Sequence, residues 1–280
     1  MFPISDGDLQ RRSFPYVNVS IIAICTLVFI YELTLGNQDV FFYQFGLVPV
    51  ELTQGIDLEF ICGNQIFWDT QPGFSSIGCD DVNTGFSNWT TMFTSMFMHG
   101  DIMHFMGNML FLWVFGDNVE DKFGHFRYLL FYLAAGVAAS WFQIATDTES
   151  ISPTIGASGA IAGVLGAYLL LFPFSRVSTV VIFFFITVVK IPAYVLLGFW
   201  FVLQFIPGMA ELGSSSHSGG IAYWAHIGGF IVGVAVVVIY KMFKKEPIWP
   251  GGRGGHGGPG GYGGGGPREV KYWRGRPIDY

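Results

Sequence analysis

The chain has 280 residues, 51% of them hydrophobic and 12% charged, and a formal net charge of −6. A water-soluble domain carries about 25% charged residues, so the composition excludes an ordinary soluble protein and points to one embedded in a lipid bilayer. The acidic balance argues against nucleic acid as a partner; for a membrane protein, what matters more is where Lys and Arg fall along the chain.

Residues 1–16 contain no apolar core followed by a cleavage site, so they read as a short N-terminal segment and not as a removable leader. A helix of about 20 apolar residues crosses a hydrocarbon layer roughly 30 Å thick. Such helices are expected at about 17–35, 101–116, 127–146, 157–172, 191–207 and 221–240. Cys25, inside the first, is a packing residue. The connection 36–100 is long enough to carry structure or function of its own. It holds Cys62 and Cys79, which form a disulfide in an oxidising compartment or else remain two thiols in a structured loop.

Arg11, Arg12, Lys122, Arg127, Arg176, Lys241, Lys244 and Lys245 all fall on one set of alternate connections, whereas 36–100, 147–156 and 208–220 contain neither Lys nor Arg. By the positive-inside rule both termini are cytoplasmic, those three loops face outward, and a cell (inner) membrane is the expected location. From Val177 to Phe205 the sequence is apolar except for Lys190, too long for one perpendicular span and too short for two. Because a mid-membrane lysine is costly and proline suits a first helical turn, Lys190 followed by Ile191 and Pro192 predicts a segment at 177–189 lying in or dipping into the cytoplasmic interface. The alternative is one long tilted helix. Residues 17–243 thus form an all-α, polytopic six-helix membrane bundle with a long outward first loop, and 244–280 form a cytoplasmic tail. The tail's tract "GGRGGHGGPGGYGGGG" is expected to be disordered. His256 within it has no partner at metal-ligand spacing, and no metal or other cofactor is expected anywhere in the chain.

Polar groups inside membrane helices are costly and therefore functional suspects. "HGDIMHFMGNML" places His104 and Asn108 four residues apart on one helix face, with Asp101 as N-cap and His99 as a loop-fixing residue. Ser158 opens the fourth helix within "IGASGAIAG", and His226 lies near the start of the sixth in "AHIGGFIVG". These helices all run from outside to inside, so the four residues share a depth near the outer face. The fourth helix is short, and the loop 147–156 is expected to dip to meet it. A small-residue stripe of Ser158, Ala162 and Gly166 facing Gly229 and Gly233 allows close helix packing. Taken singly, Ser158 reads as a packing serine and His226 as a histidine bonded to a carbonyl. Taken together they permit acyl transfer, with Ser158 as nucleophile and His226 as base. The Ser158 N–H, His104 and Asn108 are the candidate oxyanion donors. With no intramembrane carboxylate to orient His226, the site is expected to be a dyad.

"HGDIMHFMGN", "GASG" as G-x-S-G and "AHIGGFIVG" as A-H-x-x-G-x-x-x-G, in this order, resemble the motifs of the rhomboid intramembrane serine proteases, as does "GDNVED" with Glu120. The resemblance implies Ser158 as nucleophile, His226 as its base, and His104 and Asn108 at the oxyanion hole. It implies membrane-spanning helices, single-span proteins in the lipid bilayer, as substrates cut near the outer face. Some members carry an aromatic four residues after the serine, stacking on the histidine; here that position is Ala162, so what holds the His226 ring is an open question. Two other readings are an inactive relative that binds transmembrane helices without cutting them, and a channel or carrier. The latter would need a polar path across the whole membrane, whereas the polar residues here gather at one end.

Overall fold

The computed structural model describes residues 1–7, 9, 11–55, 58–62, 65–68, 79–83, 85–182, 185–212, 221–250, 272–273 and 276–277. The elements follow the order β1 (Phe2–Ser5), α1 (Tyr16–Glu32), α2 (Gln38–Phe45), α3 (Pro49–Gln54), β2 (Leu58–Cys62), β3 (Gln65–Trp68), β4 (Asp80–Asp81), α4 (Thr91–Thr94), α5 (Ile102–Phe111), α6 (Asp117–Phe123), α7 (His125–Thr146), α8 (Ser158–Leu171), β5 (Arg176–Ile182), β6 (Ile186–Pro192), α9 (Ala193–Leu212) and α10 (Tyr223–Lys244). Residues Met1–Ile248 form one unit; Trp249–Tyr280 form another, in which Tyr272–Trp273 pair antiparallel with Arg276–Pro277. His256 and the glycine tract lie outside the described residues.

Helices α7, α9 and α10 are long and apolar enough to cross a membrane. Helices α1 and α8 are apolar but shorter. The expected second helix, 101–116, is α5 followed by a π-helical turn at Leu112–Gly116, and α6 continues beyond it. A side chain of α1 is inserted at that turn. Asn18 of α1 donates its Nδ2 to the Leu112 carbonyl at 3.0 Å and accepts from the Tyr128 hydroxyl at 2.8 Å, and an inserted partner of this kind loosens the helical ladder. A Cβ at Gly116 would come within 2.7 Å of both Asn18 Cγ and the Tyr128 hydroxyl, so the glycine leaves room for the insertion.

Helix α8 is the centre of the bundle: Gly159 to Tyr168 are all buried, and at about 1.5 Å per residue its 14 residues span roughly 21 Å. It packs most closely on α10, backbone to backbone. A Cβ at Gly229 would fall on the Gly159 carbonyl, one at Gly233 on the Gly163 carbonyl, and one at Gly166 on the Phe230 carbonyl. Of the expected stripe, Gly166 and Ala162 lie at this contact, Ala162 against Gly229, and Gly159 and Gly163 widen it. At the other end of α8, Lys241 of α10 donates to the Leu170 carbonyl at 2.7 Å.

The expectation of an all-α fold is corrected by two small antiparallel sheets, β1-β5-β6 and β3-β2-β4. Within 177–189, residues 177–182 and 186–189 lie in the paired strands β5 and β6, with Ser178 opposite Lys190; Lys190 thus lies in a strand, and the single long helix is excluded. "RVSTVVI" and "ITVVKIP" are rich in β-branched residues that suit a pleated surface. Within the long first connection Cys79 is disulfide-bonded, and Cys25 of α1 is a buried free thiol; the side chain of Cys62 lies outside the described residues.

The N-terminal segment is tied into this unit by carboxylates. Strand β1 pairs with β5, and Asp6 Oδ2 accepts from Asn118 Nδ2 and from the Tyr168 hydroxyl of α8, both at 2.7 Å. Arg11 pairs with Asp117 at 2.9 Å. Asp117 is pushed up to about 6, first by burial and then by the neighbouring Asp6 carboxylate, against the pull of Arg11. A raised carboxyl holds its proton more tightly in the folded state than in the unfolded one. Its contribution therefore favours folding at low pH and is lost as pH rises through about 6. Asp117→Asn should flatten that part of the stability profile, as read by thermal unfolding in detergent at a series of pH values.

Glu120 of α6 is fully buried and caps α1. Its two oxygens accept from the Val17 and Asn18 N–H groups at 3.0 and 2.7 Å, and it also pairs with His125 Nδ1. Helix α1 begins after Pro15, which offers no capping side chain, so Glu120 supplies the acceptor its free N–H groups need. Glu120→Ala leaves those donors orphaned. It should cost about 2–4 kcal/mol of stability, seen as a lowered melting temperature.

Candidate active site

Backbone turns deliver Ser158 to its place. The loop before α8 is stitched to the first connection by paired bonds between Leu47 and Thr154 (3.1 and 2.7 Å) and by Val50 N–H to the Ser150 carbonyl at 3.1 Å. Gly156 donates its N–H to the Ser95 carbonyl at 2.8 Å. Its φ of +125° is open to glycine and strained for other residues, and a Cβ there would lie 2.7 Å from His104 Nε2. The next two residues, Ala157 and Ser158, are the N-cap and first residue of α8, so Ser158 stands where helix N–H groups have no internal partner.

His226 comes from the first turn of α10, which is fixed by Trp224 Nε1–H to the Gly208 carbonyl at 3.1 Å and Ala225 N–H to Gln143 Oε1 at 3.3 Å. Across the close α8–α10 contact, Ser158 Oγ and His226 Nε2 are 2.7 Å apart. On the opposite edge of the ring, Nδ1 lies 2.8 Å from Gln204 Oε1 of α9. An amide oxygen only accepts, so the ring proton resides on Nδ1, and the Nε2 lone pair faces the serine hydroxyl. The Trp200 ring, one turn earlier on α9, lies 6.0 Å from the His226 ring at 40°. Ala162 instead packs against Gly229.

Asp101 caps α5, accepting from Met103 and His104 N–H at 2.8 and 2.9 Å. The His104 ring abuts Gly156. One turn on, Asn108 is buried, and its Nδ2 has no acceptor among the described residues. His99 is buried against Phe29, His104 and Phe105, and its backbone N–H donates to Glu32 at 3.2 Å. Polar residues inside apolar helices that escaped the sequence reading include Gln204 and Asn18. The rule that singled out His104, Asn108 and His226, a polar side chain in an apolar span, applies to both.

Helices of membrane-crossing length around a part-buried, glycine-packed Ser–His pair define a helical membrane protein with polar side chains inside its bundle. The family profile described as "Rhomboid domain" matches residues 87–243, and the chain belongs to the rhomboid family. It is 30% identical over 144 residues to "Rhomboid protein 1, mitochondrial" of Saccharomyces cerevisiae, covering 50% of this chain and 38% of that one. Over 154 residues it is 35% identical to "Rhomboid protease GluP" of Bacillus subtilis, 53% of this chain and 26% of the other. Over 168 residues it is 27% identical to "Rhomboid-like protein 11, chloroplastic" of Arabidopsis thaliana, 56% and 55% of the two chains. The matched regions thus span about a quarter to a half of these relatives' own lengths.

Proposed function

We propose that the protein is an intramembrane serine endopeptidase that cuts single-span membrane proteins near the outer face of a cell membrane, through Ser158 and His226. The observation that carries this reading is the 2.7 Å approach of Ser158 Oγ to His226 Nε2, with Gln204 on the far edge of the ring. The name of the Bacillus subtilis relative, a protease, supports it.

In this reading Ser158 passes its proton to His226 Nε2 as Oγ attacks the scissile carbonyl carbon. The oxyanion that forms is held by the Ser158 N–H at the start of α8, by the His104 imidazole and by Asn108 Nδ2, whose missing acceptor is then supplied by the intermediate. Collapse breaks the C–N bond, and His226 returns the proton to the leaving amine. Water, deprotonated by Nε2, then attacks the Ser158 ester and releases the second product. The topology proposed with this chemistry has six crossings and both termini in the cytoplasm. Helices α1, α8 and α5 with its π-helical turn supply the three crossings beyond α7, α9 and α10.

The test is cleavage of a panel of single-span reporters by the full chain in lipid vesicles, beside Ser158→Ala. Cleavage that is absent from the Ser158→Ala protein is expected. Reporters left intact but captured by the parent protein would favour a helix-binding role instead.

A further inference from the structure

In serine proteases with a triad, a carboxylate holds the histidine in its working tautomer; among the described residues the His226 ring bonds Ser158 and Gln204 and no carboxylate. We infer that Gln204 does this work as an uncharged positioning residue, and that α9 thereby sets the readiness of Ser158. The inference rests on the Ser158–His226 reading above.

Three successive turns of α9 grip the first turn of α10. Trp200 lies against the His226 ring and against Phe230, each at 6.0 Å between centroids. Gln204 accepts from Nδ1 at 2.8 Å, and the Gly208 carbonyl accepts from Trp224 at 3.1 Å. Residues 200, 204 and 208 are spaced by four, so they line one face of α9. The opposite side of the same helix carries exposed Val202, Leu203, Phe205, Ile206 and Met209, the surface a lipid-facing helix presents. The bond to Gln204 answers the question raised by Ala162. The ring is held from its edge by an amide and flanked by a tryptophan, both from α9, and not stacked on a residue of the serine's own helix.

The choice of amide has a physical reason. Nδ1–H needs an acceptor, since without one the proton can sit on Nε2, where it would turn the ring from acceptor to donor toward Ser158. A carboxylate would serve, at the cost of a charge inside a membrane helix. Glutamine supplies the same carbonyl-type oxygen without that charge.

The experiment uses the full chain in lipid vesicles and compares Gln204→Met, which keeps the length and loses the acceptor, with Gln204→Glu, which keeps an acceptor oxygen in either protonation state. Two rates are read: reporter cleavage, resolved into kcat and KM, and covalent labelling of Ser158 by a fluorophosphonate, which displaces fluoride without needing a helical substrate. Gln204→Met is expected to lower kcat and the labelling rate together by roughly 10- to 100-fold with KM little changed. This is less than the ~10⁴-fold lost when an orienting carboxylate is replaced. Gln204→Glu is expected to restore both rates to within several-fold of the parent. Should the methionine variant fold poorly, Gln204→Asn, whose shorter amide does not reach Nδ1, takes its place and is expected to show the same joint loss. A Gln204→Met protein that labels and cleaves at the parent's rate overturns the inference. So does a loss confined to KM, or a glutamate variant as slow as the methionine one. In each of those cases the parent still labels at Ser158, so the dyad survives. A parent that neither labels nor cleaves overturns the dyad and this inference with it.

Discussion

In lipid vesicles, Ser158→Ala and His226→Ala proteins are expected to fall to the background of a reporter-cleavage assay, a loss of roughly 10⁴-fold or more. Each removes one half of a single proton-transfer pair, so the double variant should be little worse than either single one. That non-additivity is the signature of residues acting as a unit. Neither change threatens the fold. Ser158 sits among small residues, where losing a hydroxyl leaves little void, and His226 is only partly buried. Asn108→Ala should be milder, about 10²–10³-fold, because removing one oxyanion donor costs about 3 kcal/mol of barrier and two donors remain. Product analysis by mass spectrometry with time would order the variants. A Ser158→Ala protein that cuts as fast as the parent would sink the assignment.

The second large effect is structural and originates away from the reacting atoms. Gly233→Val is expected to unfold the bundle or shift α10, since a Cβ at this position would fall on the Gly163 carbonyl, and backbone cannot yield as a side chain can. Overpacking a close contact costs typically 1–3 kcal/mol and more where backbone must move. Helix α10 also carries His226, so any outward shift separates the pair before the fold is lost. The expected order is therefore loss of cleavage first, then a melting temperature several degrees lower. Gly198→Ala in α9 is the control. Nothing lies within 4 Å of its added Cβ, and alanine is the better helix former by roughly 0.5–1 kcal/mol, so this variant should be neutral or slightly more stable. Equal melting temperatures for the Gly233→Val and parent proteins would contradict the described α8–α10 contact.

Where apolar length decides, the sequence and the structure agree closely: 127–146 against His125–Thr146, 157–172 against Ser158–Leu171, and 221–240 against Tyr223–Lys244. Where length does not decide, they part. A run of apolar β-branched residues reads alike as buried helix or strand, and β5 forms because its partner strand β6 follows within the same run. The span expected at 191–207 stops at Pro207, whereas α9 runs on through it to Leu212. The approach of Ser158 to His226 was legible because glycines on two helices at matching depth permit little else than close packing. The hold on the His226 ring was not. It comes from Gln204, 22 residues away on a different helix, and no local spacing encodes a contact made only when α9 packs on α10. Likewise Asn18, which loosens the second helix, acts across 94 residues of chain.

The first six residues bear on how the protein is trimmed for production. Strand β1 and Asp6 are not a loose leading end: one extends a sheet, and the other fills the buried hydrogen-bonding demand of Tyr168, ten residues along the helix that Ser158 begins. Removing residues 1–6, a routine kind of trimming when a membrane protein resists crystallisation, would strip an edge strand from β5 and leave that hydroxyl and the Asn118 amide without their shared acceptor. Such a deletion removes an anchor at the far end of the serine's own helix.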